Sequence, residues 1–356
     1  MLKLRDKPMR LLLALVAAAL FLVIGMLVYE LVLDESGLRH YDLGGQAFEI
    51  YDYETASRHL DKYLSFHPQD TAARLLAAQT SRRLDDLEEA ERHLKLAEKY
   101  GGAAREFETE RQLATIQAGD LRDIDRWRRF CEEQPDGPAF VNAILAILEG
   151  SYRTRNLVVV EWAVELWLKR RTGKIDRAQG LIFRGRARLP AEDSSQAMED
   201  FRRAVELAPD YHGARTWLVS ALLLYEPKEA PPHLDWLRRH RPKDRLVKFL
   251  TARYHRSVGE PELAAILLDE ALAAMPDGLN KVPMIIERAK IAMDLDRLQE
   301  AERWLNEAKS LAPSHRDVNA TFAACLVRQP SRLEEARRYQ EKIRELDAAM
   351  VDSGHK

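Results

Sequence analysis

The chain has 356 residues, of which 46% are hydrophobic and 31% are charged, and its formal net charge is −2. This length could accommodate two domains, and an overall charge so close to zero argues against a dedicated nucleic-acid-binding protein. The charge is unevenly distributed, because residues 120–260 carry a net charge of +5. The middle of the chain is therefore mildly basic.

The N-terminal segment combines a basic tail with a long apolar run. Residues 1–10 contain four basic residues, and Leu11 to Tyr29 are nineteen consecutive uncharged, mainly apolar residues. At about 1.5 Å per residue, a helix of this run would reach about 30 Å, which is enough to cross a bilayer. The alternative, a cleaved signal peptide, usually has a shorter apolar region and a small-x-small cleavage site, which the sequence here lacks. The sequence therefore predicts an N-terminal tail at 1–10 and a transmembrane signal-anchor helix at 11–33.

The charges that flank this segment predict its orientation. Basic residues precede the apolar run, whereas Glu30, Asp34 and Glu35 follow it. Since cytoplasmic flanks are enriched in Lys and Arg, the tail is predicted to be cytoplasmic and the rest of the chain to lie on the far side. We therefore expect a single-pass membrane protein with an extracytoplasmic domain, which is periplasmic if the membrane is a bacterial inner membrane.

A fixed spacing recurs along the rest of the chain. Ala56 and Ala90 are separated by the same interval as Ala230 and Ala264. A fixed period of about 34 residues indicates a stack of helical hairpins, each of which packs on its neighbours. The period predicts one continuous repeat domain at 34–350, followed by a C-terminal tail at 351–356. Its nine units lie near 37–70, 71–104, 105–138, 139–177, 178–211, 211–244, 245–278, 282–315 and 316–350.

The unit at 178–211 shows the pattern most clearly. Gly185 occupies a position in the first helix where a small side chain would allow close packing. Ala197, Phe201 and Ala204 form a small-large-small stripe on the second helix, at the spacing of one helical face. Pro209 then ends the unit, because proline cannot continue a helix and biases the preceding residue away from it.

This unit resembles the tetratricopeptide repeat, a helix–turn–helix unit of about 34 residues, and the resemblance extends over almost the whole chain. It implies an all-α, right-handed superhelical solenoid of about nine hairpins, here preceded by one transmembrane helix, as in membrane-anchored tetratricopeptide proteins of bacteria. In the other units, the residues predicted to pack the hairpins or to close them are Gly44, Ala56, Ala90, Ala97, Gly259, Ala264, Ala271, Pro276, Ala301, Ala308 and Pro313.

Three units in the middle, 105–138, 139–177 and 211–244, fit the pattern less well. Bulky residues replace alanines there, and four tryptophans (Trp162, Trp167, Trp217 and Trp236) lie in this part of the chain. A stripe of aromatic residues at helical spacing is usually core, but an irregular packing could also open a pocket. We therefore expect function to lie in this interrupted region, between about 105 and 244.

The sequence lacks the motifs of catalysis and of cofactor binding. There is no CxxC pair, no HExxH helix and no glycine-rich phosphate-binding loop. We therefore expect no enzyme activity, no cofactor, no metal, no nucleic acid and no small-molecule substrate.

The resemblance also implies a binding surface, because the first helix of each repeat in this family lines a concave groove. Five cations fall on the groove positions of four consecutive units: Arg186, Arg215, Arg253, Arg256 and Lys290. Aligned cations would suit an acidic or carboxylate-bearing partner. The alternative is that they solvate a helix face or pair with neighbouring Asp and Glu. We call these residues the five groove cations.

The function expected from these features is that of a membrane-tethered scaffold. It would bind an extended peptide or a helix of a partner protein in its groove, in a chaperone-like or assembly role. One alternative is an accessory subunit of an envelope translocation, secretion or polysaccharide-export complex that binds through its outer or terminal surface. The other is a regulatory adaptor that faces the cytoplasm.

Overall fold

The computed structural model describes residues 37–189, 194–275 and 281–354, and every regular element in these ranges is helical. They contain eighteen α-helices, which follow one another as consecutive hairpins. The predicted all-α helical-repeat fold is confirmed. The chain divides into two compact units, residues 1–110 and 111–356, whereas the sequence predicted one continuous domain at 34–350.

Between residues 37 and 110, the described part of the first unit contains four helices and the start of a fifth. Three of them begin after an aspartate, Asp52, Asp70 or Asp86, whose carboxylate accepts a hydrogen bond from the backbone amide three residues later. Such caps satisfy an amide that would otherwise lack a partner in the first turn. The helices are α1 at 37–49, α2 at Tyr53–Phe66, α3 at Thr71–Arg83, α4 at Leu87–Lys99 and α5 at Ala104–Gln117, in which the unit boundary lies.

The second unit contains the remaining thirteen helices among the described residues. They are α6 at Ile124–Glu133, α7 at Pro138–Arg153, α8 at Leu157–Arg170, α9 at Lys174–Arg188, α10 at Ser195–Leu207, α11 at His212–Tyr225, α12 at Ala230–His240, α13 at Arg245–Ser257, α14 at Pro261–Ala273, α15 at Val282–Asp294, α16 at Leu298–Leu311, α17 at Arg316–Val327 and α18 at Leu333–Gly354. Short 3₁₀ turns at Pro227–Glu229 and Pro330–Arg332 precede α12 and α18. Helix α18 continues past residue 350, where a tail was predicted.

The small-large-small stripe lies in the core between the two helices of each hairpin. An added Cβ at Gly185 would lie only 2.8 Å from Cε1 of Phe201, and one at Gly44 would lie 3.1 Å from Cγ of Leu60. Because these contacts leave no room for a larger residue, the two helices of each hairpin approach closely. The predicted packing residues that are buried here are Ala56, Ala90, Ala97, Ala197, Phe201, Ala204, Ala264, Ala271, Ala301 and Ala308.

The closing prolines lie where the helices end. Pro209 follows the last residue of α10 by two positions, and Pro313 follows the last residue of α16 by two positions. Pro276, the third predicted closing proline, lies outside the described residues.

Gly259 differs from the role that the sequence predicted for it. It follows α13 in a turn, its φ is +83°, and an added Cβ would meet nothing within 4 Å. Glycine is favoured there because a left-handed backbone conformation is costly for other residues. The residue of this unit that matches Gly185 in position is Ala252, which is fully buried.

The irregular middle is tightly packed at two points. At Gly150 of α7, an added Cβ would overlap the carbonyl oxygen of Ile116, so the two backbones touch. Trp167 of α8 is fully buried, and its Nε1 donates a hydrogen bond to the carbonyl of Asp176 at 2.7 Å. Trp167 is therefore a core residue, and its indole nitrogen is satisfied.

The predicted localisation requires a correction. Within the parts of the chain that the structure describes, no helix is both long enough and apolar enough to cross a membrane. This finding contradicts the localisation predicted above, that of a single-pass membrane protein with an extracytoplasmic repeat domain. The predicted tail at 1–10 and the predicted spanning helix at 11–33 lie outside the described residues.

Candidate functional site

Arg186, the first of the five groove cations, is bound within the protein. Its Nη1 and Nη2 donate to the two carboxylate oxygens of Glu149 at 2.6 and 2.9 Å, in a bidentate ion pair. The guanidinium also stacks between two aromatic rings, 4.3 Å from the centroid of Tyr152 and 4.6 Å from that of Trp217. These contacts join α7, α9 and α11, so Arg186 holds neighbouring hairpins together.

Arg256 and Lys290 share one carboxylate. Arg256 Nη1 lies 3.1 Å from Oε1 of Glu287, and Lys290 Nζ lies 3.9 Å from the other oxygen. Arg256 also pairs with Asp294 at 2.5 Å. Because Glu287 is buried, its charge needs partners of this kind. Arg256 therefore joins α13 to α15, whereas Lys290 pairs with Glu287 within α15 itself.

Arg215 stabilises the turn that precedes its own helix. Its Nε donates a hydrogen bond to the carbonyl of Pro209 at 3.1 Å, and its guanidinium lies 4.4 Å from the ring centroid of Trp236. The same bond recurs six residues after two other prolines that follow a helix end by two positions, from Arg74 to Pro68 after α2 and from Asn319 to Pro313 after α16. A polar residue at this position thus satisfies the proline carbonyl in three units.

Arg253 is the exception among the five groove cations. Its guanidinium lies 5.8 Å from the ring centroid of Phe249 on the same helix. It makes no ion pair or hydrogen bond within the described ranges 37–189, 194–275 and 281–354. Partners within the protein therefore engage four of the five groove cations, and Arg253 is the one that has no charged partner among the described residues.

A cleft lies between α8 and α9, inside the region where the predicted period is interrupted. It has a volume of ≈ 270 Å³ and is lined by Leu157, Val160, Glu161, Val164, Glu165, Leu168, Arg184, Ala187 and Arg188. We call it the α8–α9 cleft. Beside it, Val158 is 73% exposed and Leu157 is 49% exposed. Leu157 and Val158 thus extend the apolar lining of the cleft onto the exposed surface of α8.

The sequence of α8 explains why this helix presents apolar residues on two sides. Asn156 caps its first turn by accepting a hydrogen bond from the amide of Val159 at 3.3 Å. The run of four aliphatic residues that follows, Leu157 to Val160, is longer than one buried helix face requires. Val159 and Val160 are buried in the hairpin core, so Leu157 and Val158 remain outside it.

The two arginines of the basic wall of the α8–α9 cleft share one buried carboxylate. Asp200, whose side chain is 5% exposed, accepts hydrogen bonds from Arg184 at 2.5 and 3.0 Å and from Arg188 at 3.0 Å. The acidic wall differs, because Glu161 and Glu165 are exposed and have no ion pair or hydrogen bond to any residue that the structure describes. The charge of the cleft that lacks a partner is therefore negative.

The described residues offer little for other chemistry. No group of three or more His, Cys, Asp or Glu side chains in them could hold a metal ion. Cys131 and Cys325 are buried free thiols, and burial raises the pKa of Cys131 to about 12. Such thiols are poor nucleophiles because the thiolate is scarce at neutral pH.

A comparison with known protein families identifies two of the repeat units. A model of the tetratricopeptide repeat matches residues 178–211 and 282–315. The chain therefore contains tetratricopeptide repeats. These two repeats correspond to the hairpins α9–α10 and α15–α16, and both show the buried alanine stripe. The prediction that the chain contains tetratricopeptide repeats is confirmed, with these two units matched directly. This fold typically serves as a non-catalytic scaffold for protein–protein interaction.

Three individual proteins are similar to this repeat chain. Homo sapiens N-alpha-acetyltransferase 16, NatA auxiliary subunit, is 28% identical over 101 residues, which are 28% of this chain and 10% of the human protein. A tetratricopeptide repeat protein from Parabacteroides merdae has 12% identity and a TM-score of 0.46, covering 82% of this chain and 99% of its own. Yeast Tom70 has 12% identity and a TM-score of 0.39, covering 90% of this chain and 89% of its own.

The residues of the α8–α9 cleft were not among the predicted partner-binding residues. The sequence analysis assigned that role to cations on the first helix of each repeat, whereas Leu157, Val158, Glu161 and Glu165 lie on the second helix of a poorly matching unit. The available signal was the excess of aliphatic residues at the start of α8, because a helix buried on one face needs fewer of them.

Proposed function

We propose that this protein is an interaction scaffold and that its α8–α9 cleft receives a segment of a partner protein. The tetratricopeptide repeats support the scaffold role. The observation that carries the choice of surface is the exposure of Leu157 and Val158 beside an apolar cleft. Burying exposed aliphatic area is the main favourable term in protein association.

A partner protein suits this cleft better than a small molecule. Its volume of ≈ 270 Å³ lies below the roughly 300–1,000 Å³ of typical small-molecule pockets. The floor consists of aliphatic side chains from successive turns of α8, which suits the anchoring residues of a helix laid alongside it. The human relative is by its name an auxiliary subunit, which is in keeping with a role inside a larger assembly.

A second candidate surface is the face of α13 that carries Arg253. This cation lacks a carboxylate partner among the described residues and lies beside Phe249, so it could bind an acidic or carboxylate-bearing segment. The five groove cations as a set give this version less support, because internal contacts engage the other four. Replacing Arg253 with Glu would abolish capture of a partner only if this second surface binds it.

Site-specific crosslinking tests the proposed surface. A photoreactive amino acid is placed at Val158 of the full chain, expressed in its native host, and the adducts are compared with those from the same group at Ile266. Ile266 is a matched control, because it is also an exposed aliphatic residue on a second helix (58% exposed). We expect a discrete adduct from Val158 that is absent from Ile266 and is lost when Leu157 is changed to Glu. Equal adducts at both positions, or none at Val158, would contradict the proposal.

A further inference from the structure

The carboxylates of the α8–α9 cleft that lack an ion-pair partner among the described residues indicate the chemistry of the segment that binds there. Arg184 and Arg188 direct their donors to Asp200, which leaves this wall with one excess positive charge. Glu161 and Glu165 add two negative charges without a partner among the described residues. The charged lining residues together with Asp200 behind them carry a net charge of −1, and the two carboxylates without a partner are exposed. A cationic partner would meet this charge, whereas an acidic peptide or a nucleic acid would bring like charge to it.

The spacing of these carboxylates suggests a helical partner. Glu161 and Glu165 are four residues apart on α8, so they lie one turn apart on the same face. The apolar lining runs parallel to them, from Leu157 to Leu168. At about 1.5 Å per residue this stretch is about 16 Å long, which corresponds to three turns of a docked helix. An apolar stripe flanked by carboxylates at helical spacing matches an amphipathic helix with Lys or Arg beside its apolar face.

We infer that the occupant of the α8–α9 cleft is a basic amphipathic helix of a partner protein. Its large aliphatic side chains pack against Leu157, Val158 and Leu168, and its Lys or Arg side chains pair with Glu161 and Glu165. The inference rests on the proposed function and adds the chemical class of the partner segment. Exposed ion pairs contribute modestly to affinity and are screened by salt, so the carboxylates select the partner more than they hold it.

Two synthetic peptides test the inference with the full chain. Both are long enough for four helical turns and have leucines at i, i+3, i+4 and i+7, and the polar positions are Lys in one peptide and Glu in the other. Fluorescence anisotropy measures their binding at low and high salt. We expect the Lys peptide to bind at least about tenfold more tightly at low salt, and the difference to shrink as salt rises. Changing both Glu161 and Glu165 to Gln should weaken the Lys peptide by about three- to tenfold.

A control variant and the possible outcomes separate the two proposals. Changing Glu307 and Glu341 to Gln alters the net charge equally at exposed positions outside the cleft, and it should leave the affinity unchanged. If the two peptides bind equally and only Leu157→Glu weakens them, the cleft binds proteins but the basic partner is wrong. If the Lys peptide binds and neither Leu157→Glu nor the Glu161/Glu165 variant weakens it, binding occurs elsewhere and the inference is overturned. If neither peptide binds and Val158 gives no crosslink, both proposals fail.

Discussion

Glu149 of α7 and Arg186 of α9 form a bidentate ion pair that ties two neighbouring hairpins together. The side chain of Arg186 is only 17% exposed. One carboxylate holds both terminal nitrogens of this guanidinium, and two aromatic rings pack against it, so the group is committed to contacts within the protein. Arg186, the first of the five groove cations, is thus part of the packing of the middle hairpins.

Replacing Arg186 with Ala should therefore affect stability. The substitution removes the bidentate ion pair with Glu149 and the stacking against Tyr152 and Trp217. Removing one member of a partly buried pair lowers the free energy of unfolding, here by about 1–3 kcal/mol. Urea unfolding followed by tryptophan fluorescence reports the change, because Trp217 contacts the substituted side chain.

Arg253→Ala is the matched control for this prediction. It removes the same type of side chain from the first helix of another hairpin, but no carboxylate loses a partner. We expect its free energy of unfolding to stay within about 0.5 kcal/mol of the unsubstituted protein. Equal losses in the two variants would show that the pair with Glu149 contributes nothing to stability.

The helix-packing residues could be predicted from the sequence, whereas the roles of the cations could not. Ala197 and Phe201 are four residues apart, so local helix geometry alone places them on one face. Arg186 and Glu149 are 37 residues apart, and their contact depends on how one hairpin is placed on the next. A cation on a helix face gives the same sequence pattern whether it meets solvent or the carboxylate of a neighbouring helix.

The α8–α9 cleft illustrates the same limit. The sequence indicated that the middle units are irregular, and the aliphatic run at the start of α8 was visible. Which two of its residues stay outside the core depends on the position of α9, which the spacing of alanines does not determine in this unit. The sequence could thus show where the repeat period is interrupted, but not which residues are exposed there.

The second prediction concerns Gly150 and Gly45, where substitution by alanine should change the free energy of unfolding in opposite directions. At Gly150, an added Cβ would overlap the backbone carbonyl of Ile116, and a backbone atom cannot rotate away as a side chain can. Gly150→Ala should lower the free energy of unfolding by about 2–4 kcal/mol, because α7 must move away from α5. Tryptophan fluorescence during urea unfolding measures this change, since Trp127 and Trp167 lie in the same unit.

Gly45 is the contrasting position. It lies within α1, and an added Cβ would meet nothing within 4 Å. Gly45→Ala should raise stability by about 0.5–1 kcal/mol, because alanine loses less conformational entropy in a helix. The first unit contains no tryptophan, so hydrogen exchange of the amides of α1 and α2 is the suitable measurement. Destabilisation by both alanines would contradict the packing described here.

A third prediction concerns the pH dependence of the first unit. His93 of α4 is 2% exposed, with its Nδ1 3.2 Å from Nη1 of Arg74 and its Nε2 3.1 Å from Oε1 of Glu89. Burial lowers the pKa of His93 to about 4, and the charges of Arg92 and Arg74 lower it further while Glu89 opposes them. Between about pH 6.5 and pH 4 the unfolded chain binds a proton that the folded His93 does not. The free energy of unfolding therefore falls as the pH falls through this window.

Replacing His93 with Gln should remove this contribution, so the variant should lose less stability than the unsubstituted protein between pH 7 and pH 5. Hydrogen exchange of the α3 and α4 amides measures the effect, and comparing the two proteins at each pH cancels the intrinsic pH dependence of exchange. At pH 5 and above Glu89 remains ionised, because burial, which raises its pKa, is outweighed by its hydrogen bond to Arg92 and by nearby positive charges, which lower the pKa. The exposed His240→Gln variant serves as the control, and it should follow the unsubstituted protein at both pH values. If the difference in protection between the His93→Gln variant and the unsubstituted protein were the same at pH 5 and pH 7, His93 would not be the group that titrates on unfolding.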